Sequence, residues 1–296
     1  MIKENRFYKK VANTERFYQV CEKISPPFSL QMLIEGSGNI SIEELREAVK
    51  EVAKVNKGTI ISLKRKGLNQ YWFEGSLLPS VKIADEKYFE QFDDNRVLLD
   101  NYNNPYFYNR LDVENGPACE IWLIKGKKTR ILFRAHHSLM DARGLLFWSE
   151  EIFRYLKKEP LLATNTTIRD IEYYKTFEQN SNVKKVPLGA RSPSPLGKTI
   201  GKDLTPVWAR KKLYGSYPTL VSQLIYLLTQ ESFKHSDRPA TFMISADLRN
   251  KENNFQATTN LSSPMYLTIK KEHTWLDIYT EIITSFKENR DKQIDK

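Results

Sequence analysis

The chain has 296 residues, with 46 Lys and Arg against 36 Asp and Glu and a formal charge of +10. At 40% hydrophobic and 12% aromatic residues it is too apolar for intrinsic disorder, and its length suggests two domains. No apolar run reaches the ~18 residues of a membrane span, and the charged start MIKENRFYKK lacks a signal-peptide core, so a cytoplasmic location is expected.

Residues 28–35 (FSLQMLIE) have strand character and run into Gly36-Ser37-Gly38. Ser41 stands three before Glu44, a capping-box pattern, and Ile42, Leu45, Val49, Val52 and Ala53 follow at helical spacing. Stretches 59–64 and 70–73 read as strands joined by a turn at Lys66-Gly67, and 81–84 as a short strand. Residues 93–112, rich in Asn, Asp and Tyr, read as loop. Two apolar runs, 118–124 and 129–135, flank Lys125-Gly126-Lys127-Lys128, a hairpin signal that ends at His136 and His137. Leu145, Leu146, Trp148, Ile152, Phe153, Tyr155 and Leu156 then describe a helix ending before Pro160.

The stretch 184–212 differs in kind. It holds eight basic residues and one acid, with prolines at 187, 193, 195 and 206 and glycines at 189, 197 and 201. It reads as an irregular basic connection between an N-terminal lobe, 1–183, and a C-terminal one, 213–296. In the latter, 220–233 is a helix with Leu220, Leu224, Leu227, Leu228 and Phe233 available for one face. Strands are expected at 241–246 and 264–269, a polar loop at 247–259, and an amphipathic helix at 275–286.

Several chemistries are poorly served. Glycine is 12 of 296 residues, about 4% against a usual ~7%, and no GxGxxG, complete phosphate loop, HExxH, CxxC or GxSxG occurs. Two cysteines and four histidines support neither a disulfide framework nor a structural zinc, and no metal is expected. The sharpest feature is His136-His137-Ser138-Leu139-Met140-Asp141-Ala142-Arg143-Gly144. A strand delivers paired histidines to a chain reversal, with an aspartate four residues beyond the second. Imidazole titrates nearest neutrality, so the pattern suits proton abstraction. Two histidines at a strand end above an Asp-containing turn are the plain structural alternative. No Ser or Cys stands at a nucleophile elbow.

His-His-x-x-x-Asp-x-x-Gly after an apolar strand resembles the signature of the CoA-dependent acyltransferase superfamily, which includes chloramphenicol acetyltransferase, nonribosomal peptide condensation domains and alcohol acyltransferases. Asn115-Gly116-Pro117 before the hairpin, the opening strand, helix and strand of 28–64, Ser245-Ala246-Asp247-Leu248-Arg249, and Asn260 with Ser262-Ser263 extend the likeness through most of the chain. The resemblance implies an α/β, chloramphenicol acetyltransferase-like two-lobed sandwich. It implies transfer of an acyl group from a CoA or carrier-protein thioester to a hydroxyl or amine acceptor. Carried over by position, His137 is the general base, His136 is structural, and Asp141 is architectural and pairs with Arg249 across the lobes. A solvated loop position is the alternative for Arg249. Ser262 or Ser263 is the candidate oxyanion donor, against the plain reading of strand serines. Ala142 stands where the pattern usually has Gly, which requires a negative φ there.

The resemblance further implies no tightly bound cofactor, with acyl-CoA or acyl-phosphopantetheine as co-substrate and a small-molecule acceptor. An acidic acyl carrier protein is a possible partner, which the basic stretch would suit; a solvated linker is its plain reading. Two-lobed members are usually well over a hundred residues longer, so a complete first lobe and an incomplete second are expected. The alternative function is therefore a catalytically incompetent fragment or condensation-like binding module. A nucleic-acid role, suggested by pI 9.3, is not expected, because the aromatics fall at apolar core positions and no recognition motif occurs.

Overall fold

A computed structural model describes residues 8–24, 26–89, 96–99, 104–164, 167–175, 193–197, 208–211, 213–249 and 256–292. In chain order the strands and α-helices are β1 (Tyr8–Lys10), α1 (Asn13–Ile24), β2 (Ser29–Gly36), α2 (Ile42–Val55), β3 (Ile61–Lys66), β4 (Asn69–Glu74), β5 (Ser80–Ala84), β6 (Arg96–Leu99), α3 (Pro105–Tyr108), β7 (Cys119–Ile124), β8 (Thr129–His136), α4 (Ala142–Leu156), α5 (Asp170–Lys175), β9 (Trp208–Lys211), α6 (Leu220–Phe233), β10 (Ala240–Asp247), β11 (Ser262–Ile269) and α7 (Trp275–Lys287). Among the described residues, no helix is long and apolar enough to cross a membrane.

The described residues fall into two compact units. The first runs to Tyr173 and takes in Trp208–Arg210 and the described part of Arg249–Leu261. The remainder forms the second. Most of the basic stretch 184–212, read as an inter-lobe connection, lies outside the described residues.

The first unit is built on a four-stranded sheet of order β2-β8-β7-β5. β8 pairs antiparallel with β2 and β7, and β5 runs parallel to β7. Both faces are covered, which is why β7 and most of β8 read as continuous apolar runs rather than as alternating ones. On one face Ile121, Leu123, Ile131, Phe133 and Ala135 pack with Leu45, Val49 and Val52 of α2 and Leu145, Trp148 and Ile152 of α4. On the other, Trp122, Ile124 and Leu132 meet Ala84, Phe89 and Phe107. Trp148 and Phe133 are fully buried, and each such side chain contributes roughly 1.5–3 kcal/mol. The capping box of α2 forms as expected, with Ser41 and Glu44 satisfying each other's backbone N–H groups. A second sheet, β1-β4-β3, turns at Gly67, whose φ of +59° costs a glycine nothing.

Several elements depart from the sequence expectations, among them β1, α5 and β9, for which none was expected. Residues 13–24, for which no element was expected, form α1. Within 93–112, expected as loop, β6 forms, and Asn104 with Pro105 starts the single turn of α3. There the Asn104 side chain accepts from Tyr106 N at 3.1 Å, and proline at the first helical position lacks only an N–H that would have no intrahelical partner.

In the second unit, β10 and β11 pair antiparallel from Ala240↔Ile269 to Asp247↔Ser262. Its small core is Ile225, Leu267, Ile269 and Ile278. The buried face of α6 is not the leucine face expected. Ser222, Ile225, Thr229 and Ser232 are buried, while Leu224, Leu227 and Leu228 are exposed. The three hydroxyls donate to carbonyls three or four residues earlier, so this small face packs without an orphaned polar group.

Candidate active site

The paired histidines sit where the central sheet ends. His136 is the last residue of β8, opposite Ser29, and its N–H donates to Ala118 O at 2.9 Å. The next N–H, of His137, donates to Phe28 O at 3.1 Å. A turn follows, closed by Leu139 N to His136 O at 2.8 Å, and α4 begins six residues after the first histidine. The two imidazoles thus stand on consecutive residues at a strand terminus, and their surroundings differ.

His136 is 2% exposed. Its Nδ1 accepts from Ser138 N at 3.1 Å and lies 2.7 Å from the Ser138 hydroxyl. Accepting the backbone N–H at Nδ1 places the ring proton on Nε2. Burial, with the neighbouring His137 as a lesser cause, pushes its pKa down to about 4, so it is neutral across the physiological range. This ring is an internal prop.

His137 is half-buried. Its ring stacks on Tyr18 of α1, with centroids 3.8 Å apart and planes 17° from parallel. Phe28 stacks from a longer distance, 5.6 Å at 21°. Its carbonyl accepts from Asn260 Nδ2 at 3.0 Å. Burial is the largest influence on its pKa and lowers it; its own carbonyl, the charge of Asp141, the Met140 carbonyl and the Asn260 side chain oppose that shift. The net direction is downward, which keeps the imidazole neutral and basic at neutral pH.

Asp141 is directed at the backbone and at Arg249. As N-cap of α4 it accepts from Gly144 N at 2.7 Å. Arg249 grips it with two bonds, Nη2 to Oδ1 at 3.0 Å and Nη1 to Oδ2 at 3.1 Å. Leu261 N adds a third partner at 2.7 Å. Arg249 also donates to the carbonyls of Ala257 and Thr259 at 2.6–3.2 Å. The pair is internal to the first unit, where chain order had suggested a link from one lobe to the other. It clamps loop 256–261 onto the turn that carries His137. Gly144 is required by the same loop, because a Cβ there would run into the Thr258 carbonyl. Ala142 opens α4, exposed and with the negative φ of a helix, so the loss of glycine at that position costs nothing sterically.

Ser262 and Ser263 open β11, opposite Asp247 and Ala246, and belong to the second unit; Ser263 is buried. The sequence reading did not single out Tyr18, Lys9, Glu15 or Thr259. A signal for α1 was present: Phe17, Val20, Cys21 and Ile24 recur at helical spacing, and Glu15 accepts from Ala12 N at 2.8 Å, half of a capping box. Asn260 was noted only as part of a resembling strand.

No protein-family model and no curated protein matches the chain. Solved structures do. The starter condensation domain of the rhizomide synthetase RzmA, crystallised as a mutant with C8-CoA, matches with a TM-score of 0.62 at 12% identity, over 96% of this chain and 72% of that one. A mutant of the same domain with C8-CoA and Leu-SNAC gives 0.64 at 10% identity, over 97% and 72%. The condensation domain of the monacolin K polyketide synthase MokA gives 0.61 at 10%, over 96% and 74%. The fold is that of a condensation domain. At such identities the likeness concerns the fold, the chloramphenicol acetyltransferase-like α/β architecture expected from the histidine motif.

Proposed function

We propose that this condensation-fold chain is an acyltransferase that moves an acyl group from a CoA or carrier-protein thioester to a hydroxyl or amine. The observation that carries the reading is the unequal pair of histidines. One is buried, neutral and bonded to Ser138; the other is half-buried, stacked on an aromatic ring and held neutral. In this reading His137 takes the proton of the acceptor at Nε2. The freed oxygen or nitrogen attacks the thioester carbonyl, the C–S bond breaks, and the thiolate leaves and is protonated. No covalent acyl-enzyme is needed. Asp141 and Arg249 do not touch the reacting atoms; they keep the His137 turn and loop 256–261 in register. Ser262 or Ser263 is the proposed oxyanion donor. That mutants of the RzmA starter condensation domain, which share this fold, were crystallised with C8-CoA supports a thioester donor of that class.

The test is thiol release from octanoyl-CoA in the presence of amine and alcohol acceptors, for the parent chain and for His137→Ala. General-base catalysis contributes typically 10²–10⁴-fold, and a loss of about that size in a folded variant is expected. Wild-type turnover by His137→Ala would overturn the assignment of the base. Saturable binding of octanoyl-CoA without release of thiol by the parent would favour a binding module.

A further inference from the structure

Two elements far apart in the chain touch His137. Helix α1 supplies the Tyr18 ring, and loop 256–261 supplies the Asn260 amide. Phe28 adds a longer stack and accepts from His137 N, and these contacts position the base only if the elements that carry them are fixed. What joins α1 to loop 256–261 is a buried charge cluster away from the ring. Lys9, on β1, is 4% exposed, and its Nζ lies 2.7 Å from Glu15 Oε1. Lys9 Nζ also donates to the Thr259 hydroxyl. Glu15 is 1% exposed and stands three residues before Tyr18 on α1, so both lie on neighbouring turns of one face. Its second oxygen accepts from Ala12 N at 2.8 Å and from Trp72 Nε1 at 2.9 Å. Thr259 immediately precedes Asn260, and its carbonyl accepts from Arg249 at 2.6 Å. The Lys9 ammonium thus joins the helix carrying Tyr18 to the loop carrying Asn260, beside a long direct bond of 3.5 Å from the Thr259 hydroxyl to Glu15 Oε1.

A buried ion pair is a poor device for stability alone, since an apolar pair of similar volume is often as good or better. It is directional, and here its two ends fall next to Tyr18 and Asn260, two of the groups that contact His137. We infer that Lys9 is a positioning residue for His137, locking α1 and loop 256–261 together so that the imidazole keeps one orientation. The inference rests on the reading of His137 as the base and extends it to a residue more than a hundred positions away in the chain.

The test is the double variant Lys9→Met with Glu15→Gln, which removes the ion pair, leaves no bare buried charge and keeps an acceptor for Trp72 and Ala12. Thr259→Val, which deletes only the hydroxyl, is the milder companion should the double variant fail to fold. Two readouts are followed. In NMR of the full chain, labelled on histidine, the His137 ring protons lie in the ring current of Tyr18. Their shifts are expected to change and the His137 titration to move toward that of an ordinary imidazole. In the thiol-release assay kcat is expected to fall on the order of 10- to 100-fold, with KM for octanoyl-CoA nearly unchanged, since small displacements of a catalytic group cost rates of this order. A folded variant with lowered Tm but unaltered His137 shifts and titration would reduce Lys9 to a structural role and overturn the inference. If the parent shows no transfer at all, the acyltransferase reading fails by itself, while the NMR arm still decides whether Lys9 positions the ring.

Discussion

Arg249 holds Asp141 through both carboxylate oxygens, at 3.0 and 3.1 Å, with both side chains 5% exposed. The pair also carries the N-cap of α4 and the amide of Leu261, so a single carboxylate organises the turn after the histidines, the helix that follows and loop 256–261. Removing one partner leaves a buried charge uncompensated, at a cost of about 3–5 kcal/mol. Asp141→Ala additionally loses the helix cap, worth about 0.5–2 kcal/mol. Urea unfolding is therefore expected to rank Asp141→Ala below Arg249→Ala. The double variant should be more stable than the sum of the two losses predicts, by roughly 0.5–3 kcal/mol. Strictly additive losses would contradict the pairing.

Tyr18 covers one face of His137. Tyr18→Phe keeps the stack and is expected to retain activity. Tyr18→Ala opens the ring to water and removes part of the burial that lowers its pKa. The folded pKa then rises toward the ordinary value of about 6.5. The base must be neutral, so the acid limb of kcat/KM should move to higher pH in Tyr18→Ala, and activity should fall more at pH 6 than at pH 8. An unshifted acid limb in that variant would separate the ring from the tuning of His137.

The histidine turn was legible in the sequence because one short segment carries it: an apolar strand, a pair of imidazoles, an N-cap aspartate and a glycine. Arg249 was legible only through the resemblance, since nothing local distinguishes it from a solvated arginine; its meaning comes from a partner 108 residues away. Tyr18 and Lys9 were not legible. The apolar residues of α1 that announce a helix, Phe17, Val20 and Ile24, are exposed, while the residue it buries is Glu15. The usual inference from amphipathicity to core thus points to the wrong face. The same inversion occurs in α6, where hydroxyls rather than leucines are buried. Pattern reasoning finds a helix readily when it covers a sheet, as α2 and α4 do, and misjudges one whose buried face is made of bonded polar groups.

The two small residues of the turn are not equivalent. Gly144→Ala places a Cβ against the Thr258 carbonyl, which is backbone of a loop already held by Arg249 and cannot swing aside. A cost of about 1–3 kcal/mol is expected, as for overpacking elsewhere, together with loss of transfer, because the displaced loop carries Asn260. Ala142→Gly alters an exposed first-turn position and is expected to cost at most about 1 kcal/mol, with activity retained. Equal effects of the two substitutions on Tm would contradict this packing account.

His136 makes stability depend on pH in a definite direction. Its folded pKa is about 4, below the ~6.5 of an unfolded chain. Above ~6.5 both states are neutral and the group adds no pH dependence. As pH falls through ~6.5 the unfolded state takes up a proton that the folded state refuses, and stability is lost progressively down to about pH 4, below which both are protonated. The full window is worth on the order of 3 kcal/mol, of which about 2 kcal/mol falls between pH 7 and pH 5. His136→Asn keeps an acceptor for Ser138 N near the position of Nδ1 but does not titrate. Urea unfolding at pH 7 and pH 5 should therefore show a difference between the two pH values that is smaller in His136→Asn than in the parent by about that 2 kcal/mol. His137 is common to both proteins, and only its lesser coupling to His136 differs between them. An equal acid loss in the variant would mean that the destabilising proton binds elsewhere and that His136 is not held neutral by its burial.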